Sequence, residues 1–357
     1  MSSNPLSARI CGNALNLPPP RPDSRGIADN VVWKSHNAFN RKASMPVGAI
    51  QTIERLYKQS RELDSELNIA RSEHNALIKR DLEHHASTVD TDLQRHALLV
   101  PNDTHPDVPI GPESAATVLA TKGPEPMPAD PRRDHVAVGR ALGLLDLDSG
   151  AMSTGSSWYY LTNEGALLEH ALVSYALDAA ICEGLHLADI AARCGFQPRD
   201  PSADSPASQM YHLAAPSEDL DTRGDASLPR KVVAMGKAFR AEAGARGADT
   251  RGLIVCTSSQ KLNFLCDALL EEMRNLQETL FDGITCHNRV LDMPTEELGA
   301  AAYRKYDIEA WMPGRGKWGE ISSASNCTDY LEKPRSQPYA HTLNGTATAV
   351  PRLIVAC

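Results

Sequence analysis

Phe239-Arg240-Ala241-Glu242-Ala243-Gly244-Ala245-Arg246-Gly247-Ala248-Asp249-Thr250-Arg251-Gly252-Leu253 is the stretch on which the reading of this chain turns. Lys231 to Arg240 reads as a strand with an arginine at its end, and Leu253 to Thr257 as a short returning strand. Between them runs a loop punctuated by glycines that carries Arg246, Asp249 and Arg251. An arginine fork can hold a phosphate through two parallel hydrogen bonds, and a glycine-rich loop can close over a nucleotide. A solvated, charged hairpin is the plainer reading of the same residues, and they leave both open.

Two further clusters lie downstream. Trp318 to Asp329 contains Glu320-Ile321-Ser322-Ser323 in a predicted strand, where simple alternation puts Glu320 and Ser322 on one side and Ser323 on the other. A carboxylate and hydroxyls are oxygen ligands suited to Mg²⁺ beside phosphates, and a polar strand end is the alternative. His341 to Arg352 has small residues that allow close packing, then Arg352 in an apolar segment. A buried arginine needs a partner, which can be a ligand or an acid of the same protein.

Around these clusters the pattern predicts helices at Gly165 to Cys182 and Leu262 to Leu280, strands at Tyr306 to Met312 and Glu320 to Ser323, and a helix start at Arg352 to Cys357. Gly195 to Leu228 reads as loop. Upstream, apolar or small residues recur in steps of three and four at Ile53, Leu56, Ser60, Leu63, Leu67, Ala70, His74 and Leu77, the seam of a coiled coil. A helix of ~38 residues from Pro46 to Glu83 spans about 57 Å and favours a projecting arm over a helix lying on a core. Its expected partner is the shorter stretch Thr88 to Val100, which leaves part of the seam uncovered. Pro101 to Asp134 holds eight prolines and reads as a linker around a short strand at Thr117 to Ala120. The expected fold class is α+β, an antiparallel sheet flanked by helices and preceded by an N-terminal coiled-coil helical arm. The expected domains are a leader at 1–26, an arm at 27–100 with a shortened second helix, a linker at 101–134 and the catalytic domain at 135–357.

The 357 residues, 42% hydrophobic and 23% charged, can bury a sizeable core. A formal net charge of -9 argues against a uniformly basic nucleic-acid binder while leaving room for one basic face. The eight cysteines are scattered without zinc-ligand spacing and read as reduced thiols. No apolar run reaches the ~20 residues that cross a bilayer, so no membrane partner is expected. Arg9, Arg21 and Arg25, with serines and the single acid Asp23, give the leader the composition of a transit segment, and a proline-rich leader is the alternative.

Taken in order, the three clusters resemble motif 2, the seryl-specific strand and motif 3 of class II seryl-tRNA synthetases. Tyr159 to Gly184 resembles their motif 1 dimer helix, and the long helix resembles their tRNA-binding arm. Ala191 to Arg199, Ala301 to Glu309 and Val350 to Ile354 are similar to fungal mitochondrial members. The resemblance implies a homodimeric serine-tRNA ligase that uses ATP and Mg²⁺ to make seryl-adenylate and charge tRNA(Ser), in the mitochondrial matrix or alternatively in the cytoplasm. It implies that Arg240 and Arg352 are catalytic, that Arg240, Ala241, Glu242, Glu320, Ile321, Ser322, Ser323 and Arg352 bind ATP, that Glu320 and Ser323 hold the metal, and that Asn344 and Thr346 lie at the serine pocket. The family's Thr-x-Glu loop has no counterpart in Tyr211 to Glu218, nor its Arg-x-His-x-Phe strand in Ile254 to Gln260. That departure motivates the alternative of a synthetase-like dimer partner or RNA-binding protein without full catalysis. An amino acid:carrier-protein ligase is a third class, and the arm speaks against it.

Overall fold

The computed structural model describes residues 22–72, 76–154, 158–187, 230–233, 260–263, 266–330 and 341–357. Phe239 to Leu253 lies outside the described residues, as do the predicted loop at Gly195 to Leu228 and the return strand at Leu253 to Thr257.

The N-terminal part is helical, with α1 (Ser24–Asp29), α2 (Val31–Asn40), α3 (Ala49–Ser72) and α4 (Ala76–Ala97). Ile53, Leu56 and Leu63 of α3 cluster with Val89, Leu93 and Ala97 of α4, and Leu67 and Ala70 are buried further along. Two expectations are corrected here. The first helix ends at Ser72 instead of running to Glu83, and its partner has 22 residues instead of a shortened 13-residue stretch. With 24 residues in α3 the arm is about 36 Å long, not 57 Å. The apolar steps continue through Leu82, Ala86, Val89, Leu93 and Ala97 with no glycine or proline at the reversal, so spacing alone runs the first helix on into the opening turns of the second.

The body is an eight-stranded sheet in the order β1-β7-β8-β9-β10-β6-β5-β4. Its strands are β1 (Thr117–Lys122), β4 (His186–Leu187), β5 (Arg230–Val233), β6 (Gln260–Asn263), β7 (Asn288–Asp292), β8 (Arg304–Met312), β9 (Lys317–Asn326) and β10 (Thr342–Thr346). Every neighbouring pair is antiparallel except β4 with β5. β1 falls in the stretch read as linker, so the sheet begins ahead of His135. β2 (Leu145–Asp146) and β3 (Tyr160–Leu161) form a separate pair near α5 (His135–Ala141) and α6 (Leu147–Thr154).

Helices α7 (Glu164–Cys182), α8 (Cys266–Asp282) and α9 (Val350–Ala356) pack against one face of the sheet. In α8, Leu270, Met273, Leu276, Leu280 and Phe281 are buried at helical spacing, which gives one apolar stripe to the sheet. The core they close contains Val290, Ile308, Ala310, Met312, Ile321 and Leu353. By length and composition the 19 residues of α7 are apolar enough to cross a membrane, although Glu169, His170 and Asp178 interrupt the apolar run. Ala176 and Ala180 face the core, while Leu167, Leu168 and Ile181 remain exposed.

Candidate functional site

The site is built on an irregularity in β9. Ile308 pairs with Ser322 and Glu309 with Glu320, so Ile321 is an extra residue bulged out of the ladder. Residues directly opposite each other in an antiparallel ladder point to the same face, and a bulge re-aims the side chains that follow it. Glu320 therefore shares the face of Glu309 and Asp307, and Ser323, which pairs with Asp307, shares it too. The expectation that Glu320 and Ser322 face one side and Ser323 the other is thus overturned. Ile321 and Ser322 turn together toward the core, and both are fully buried.

That arrangement sets the entry to α9. The bulge frees the Ile321 carbonyl, which accepts a 2.7 Å hydrogen bond from the Ala349 N–H just ahead of the helix. Ser322 Oγ donates to the Thr346 carbonyl at 2.7 Å and the Ala347 carbonyl at 3.1 Å. Gln277 on α8 donates from below to the carbonyls of Ser323 at 2.8 Å and Thr346 at 3.0 Å. Pro351 opens the helix, where its missing N–H costs nothing. Arg352 is thereby brought to Glu320, with Nη1 donating to the Glu320 carbonyl at 3.2 Å and lying 3.6 Å from its carboxylate. Ile321 and Ser322, expected among the ATP-binding residues, use their side chains for this framework, so any contact they make with a nucleotide is through backbone.

On the exposed side of the ladder, β10 pairs Thr346 with Ser323 and Asn344 with Ser325. Asn344 is half-buried and Thr346 buried on the face that carries Ser323. The geometry thus brings together Glu320, Ser323, Asn344 and Thr346, with Arg352 at the edge beside Glu320. Arg240, Ala241 and Glu242 lie outside the described residues.

The same face holds charges that the sequence reading passed over. Lys305 Nζ lies 2.6 Å from Asp307 Oδ2, and Arg289 lies 2.7 Å from the Glu309 carboxylate. Burial pushes the Asp307 carboxyl up to about 7; Lys305 opposes the rise, and Glu320 and Glu309 add to it. Burial would lower the Lys305 ammonium, but the charges of Asp307 and Glu320 outweigh it and raise it. Asp307 Oδ1 has no hydrogen-bond partner among the described residues. Alternation along Lys305, Asp307 and Glu309 in an otherwise core-forming strand is the signal that finds this row. A cavity of about 190 Å³ is lined by Glu320 and Arg352 together with His135 and Arg315. Roughly 300 Å³ or more encloses a whole drug-sized ligand, so this space, which Met312, Gly319 and Val355 also line, does not by itself enclose a whole nucleotide.

A carboxylate and a hydroxyl on one face, beside an arginine at the start of a helix and under an antiparallel sheet, are the parts of a nucleotide-activating site of the class II synthetase kind. The profile of the tRNA synthetase class II core domain (G, H, P, S and T) matches residues 203–354. The chain is 38% identical over 291 residues to a serine--tRNA ligase of Rubrobacter xylanophilus, covering 72% of this chain and 69% of that protein. It is 32% identical over 415 aligned positions to a mitochondrial serine--tRNA ligase of Saccharomyces cerevisiae, covering 97% and 92% of the two chains. The crystal structure of seryl-tRNA synthetase from Pyrococcus horikoshii complexed with ATP superposes with a TM-score of 0.75 at 26% identity, covering 94% of this chain and 93% of that one. The chain belongs to the serine-tRNA ligase family of class II synthetases.

Proposed function

We propose that Glu320, Ser323 and Arg352, with Arg240 and Glu242, form the ATP side of this serine-tRNA ligase, and that Asn344 and Thr346 lie at its serine side. The reaction is ATP-dependent activation of serine followed by transfer to tRNA(Ser). In the first step the serine carboxylate attacks the α-phosphorus of ATP, a bond to the bridging oxygen breaks, and pyrophosphate leaves with seryl-adenylate formed. In the second, a hydroxyl at the 3′ end of the tRNA attacks the seryl carbonyl and AMP leaves. Neither step needs a protein nucleophile; positioning and charge stabilisation carry the rate. Arg240 holds the α-phosphate as charge develops there, Glu242 contacts the adenine side, and Arg352 packs against the nucleotide.

The observation that carries this reading is the bulge at Ile321, which places Glu320 and Ser323 on one face three residues apart. These two oxygen donors fit Mg²⁺, which usually takes one or two protein carboxylates and completes its shell with phosphates and water. When bound, Mg²⁺ supplies charge neutralisation at the phosphates.

The exposed Leu167, Leu168 and Ile181 of α7 support a homodimer in which a second copy covers this face, rather than a membrane. The mitochondrial relatives support the mitochondrial matrix as the compartment, with the cytoplasm as the alternative. Charging of tRNA(Ser) with labelled serine tests the function: serine and not threonine is expected to be transferred, and equal transfer of both overturns the serine assignment.

A further inference from the structure

A buried polar network outside the site lies where the arm meets the sheet, and its centre is Arg41. This side chain follows α2 and is buried. Its Nη1 donates to the Asn102 carbonyl at 2.9 Å and the Asp103 carbonyl at 3.2 Å, and its Nη2 donates to the Gly299 carbonyl. Asn37, one turn earlier, donates to the same Asn102 carbonyl at 2.8 Å and accepts from Thr104 Oγ1 at 2.6 Å.

Asn102 carries the connection onward. Its N–H donates to the Ala300 carbonyl at 2.8 Å. Its side-chain amide donates to the carbonyls of Ala301 at 2.9 Å and Cys327 at 3.0 Å, and to Thr328 Oγ1 at 2.9 Å. The Tyr303 N–H donates to the Asn326 carbonyl at 2.7 Å, and Tyr330 donates its hydroxyl to the Val100 carbonyl at 2.9 Å. The N-terminal end of the arm's helical unit is therefore fastened to the 102–103 segment and Gly299, and its C-terminal end, through Val100 and Asn102, to the residues just beyond β9, the strand that also carries Glu320 and Ser323. On the solvent side, Asp103 accepts from Lys34 at 2.7 Å and from Trp33 at 3.1 Å.

We propose that this joint sets the direction of the arm for the transfer step, with Arg41 and Asn102 as positioning residues that act through the RNA held by the arm. The inference rests on the ligase reading above. Only a guanidinium has donors spread in a planar fork that reaches two chain segments at once; a lysine at this position keeps the charge but cannot span them. The lever is long. A tilt of about 10° at the base of a ~36 Å helical arm moves its tip by about 6 Å, whereas misplacing reacting groups by about 1 Å can cost a hundredfold in rate. Serine activation needs no RNA, so it is indifferent to this angle.

The test compares the two half-reactions in the full chain carrying Arg41→Gln, with Arg41→Lys as the charge-preserving control, and follows amide hydrogen exchange. Both variants are expected to keep serine-dependent pyrophosphate exchange within about twofold, to lower kcat/KM for tRNA charging by about tenfold or more, and to lose protection at the Asn102 and Tyr303 amides. An equal fall in both half-reactions, undiminished charging, or full rescue by lysine overturns the proposal. If the unaltered chain shows no pyrophosphate exchange, the ligase reading fails separately, and unchanged protection at the two amides then overturns the joint itself. If neither Arg41 variant is soluble, Asp103→Ala loosens the joint from its solvent side and is expected to give the same split, with its absence counting against the proposal.

Discussion

Replacing Ser322 by alanine separates a framework role from a nucleotide-binding one. The hydroxyl is fully buried and divides its donation between the carbonyls of Thr346 and Ala347. After the change, Thr346 keeps the Gln277 amide at 3.0 Å, while the Ala347 carbonyl loses the donor described for it. An ordinary hydrogen bond contributes about 1 kcal/mol net, and a buried acceptor left without a partner costs about 1–3 kcal/mol. One acceptor of the two is rescued, so the expected loss is about 1–2 kcal/mol. In urea the midpoint should fall with an unchanged slope, because the surface exposed on unfolding is the same. The KM for ATP in pyrophosphate exchange should stay within about twofold, since the side chain points away from the substrate face. An unchanged midpoint combined with an ATP KM raised by about tenfold would refute the framework role and return Ser322 to the nucleotide.

Other consequences are equally accessible. Glu320→Gln should lower pyrophosphate exchange by about a hundredfold and raise the Mg²⁺ concentration needed for half-maximal rate, because the neutral amide is a poor metal ligand; an unaltered Mg²⁺ requirement would argue against the metal assignment. The Asp307 carboxyl, raised from 3.8 to about 7, retains a proton in the folded protein that the unfolded chain has lost. Folded stability should therefore fall as pH rises from about 4 to about 7, and Asp307→Asn should flatten that slope in urea midpoints measured across the range. Leu167→Asp with Leu168→Asp places charge on the exposed face of α7 and should shift the mass seen in light scattering from two chains to one; a monomeric unaltered chain would sink the dimer.

Much of the fold is legible because its signals are local. Apolar spacing finds α7 to within one residue, and strand alternation finds β8 and β9 inside their true limits. The end of α3 is not legible, because the reversal between Ser72 and Ala76 carries no helix breaker and the seam simply continues on α4. β1 is legible as a short strand at Thr117 to Ala120, but its place in the sheet is not, because that depends on pairing with β7, some 170 residues away. At the site, residue types were readable and their directions were not. The bulge at Ile321 arises from how β9 must meet β8 and the start of α9, and no period-two pattern in Glu320 to Ser323 announces it. For the same reason Asp307 and Lys305 become visible as part of the site only when register sets Asp307 opposite Ser323.

The central claim is that this chain activates serine through the phosphate-facing residues gathered by that bulge. Pyrophosphate exchange into ATP by the purified chain measures it without any dependence on tRNA. The account predicts exchange that requires serine and Mg²⁺ and that falls about a hundredfold in Arg352→Ala and in Glu320→Ala. Exchange no faster than the serine-free background, or full exchange in both variants, would contradict it.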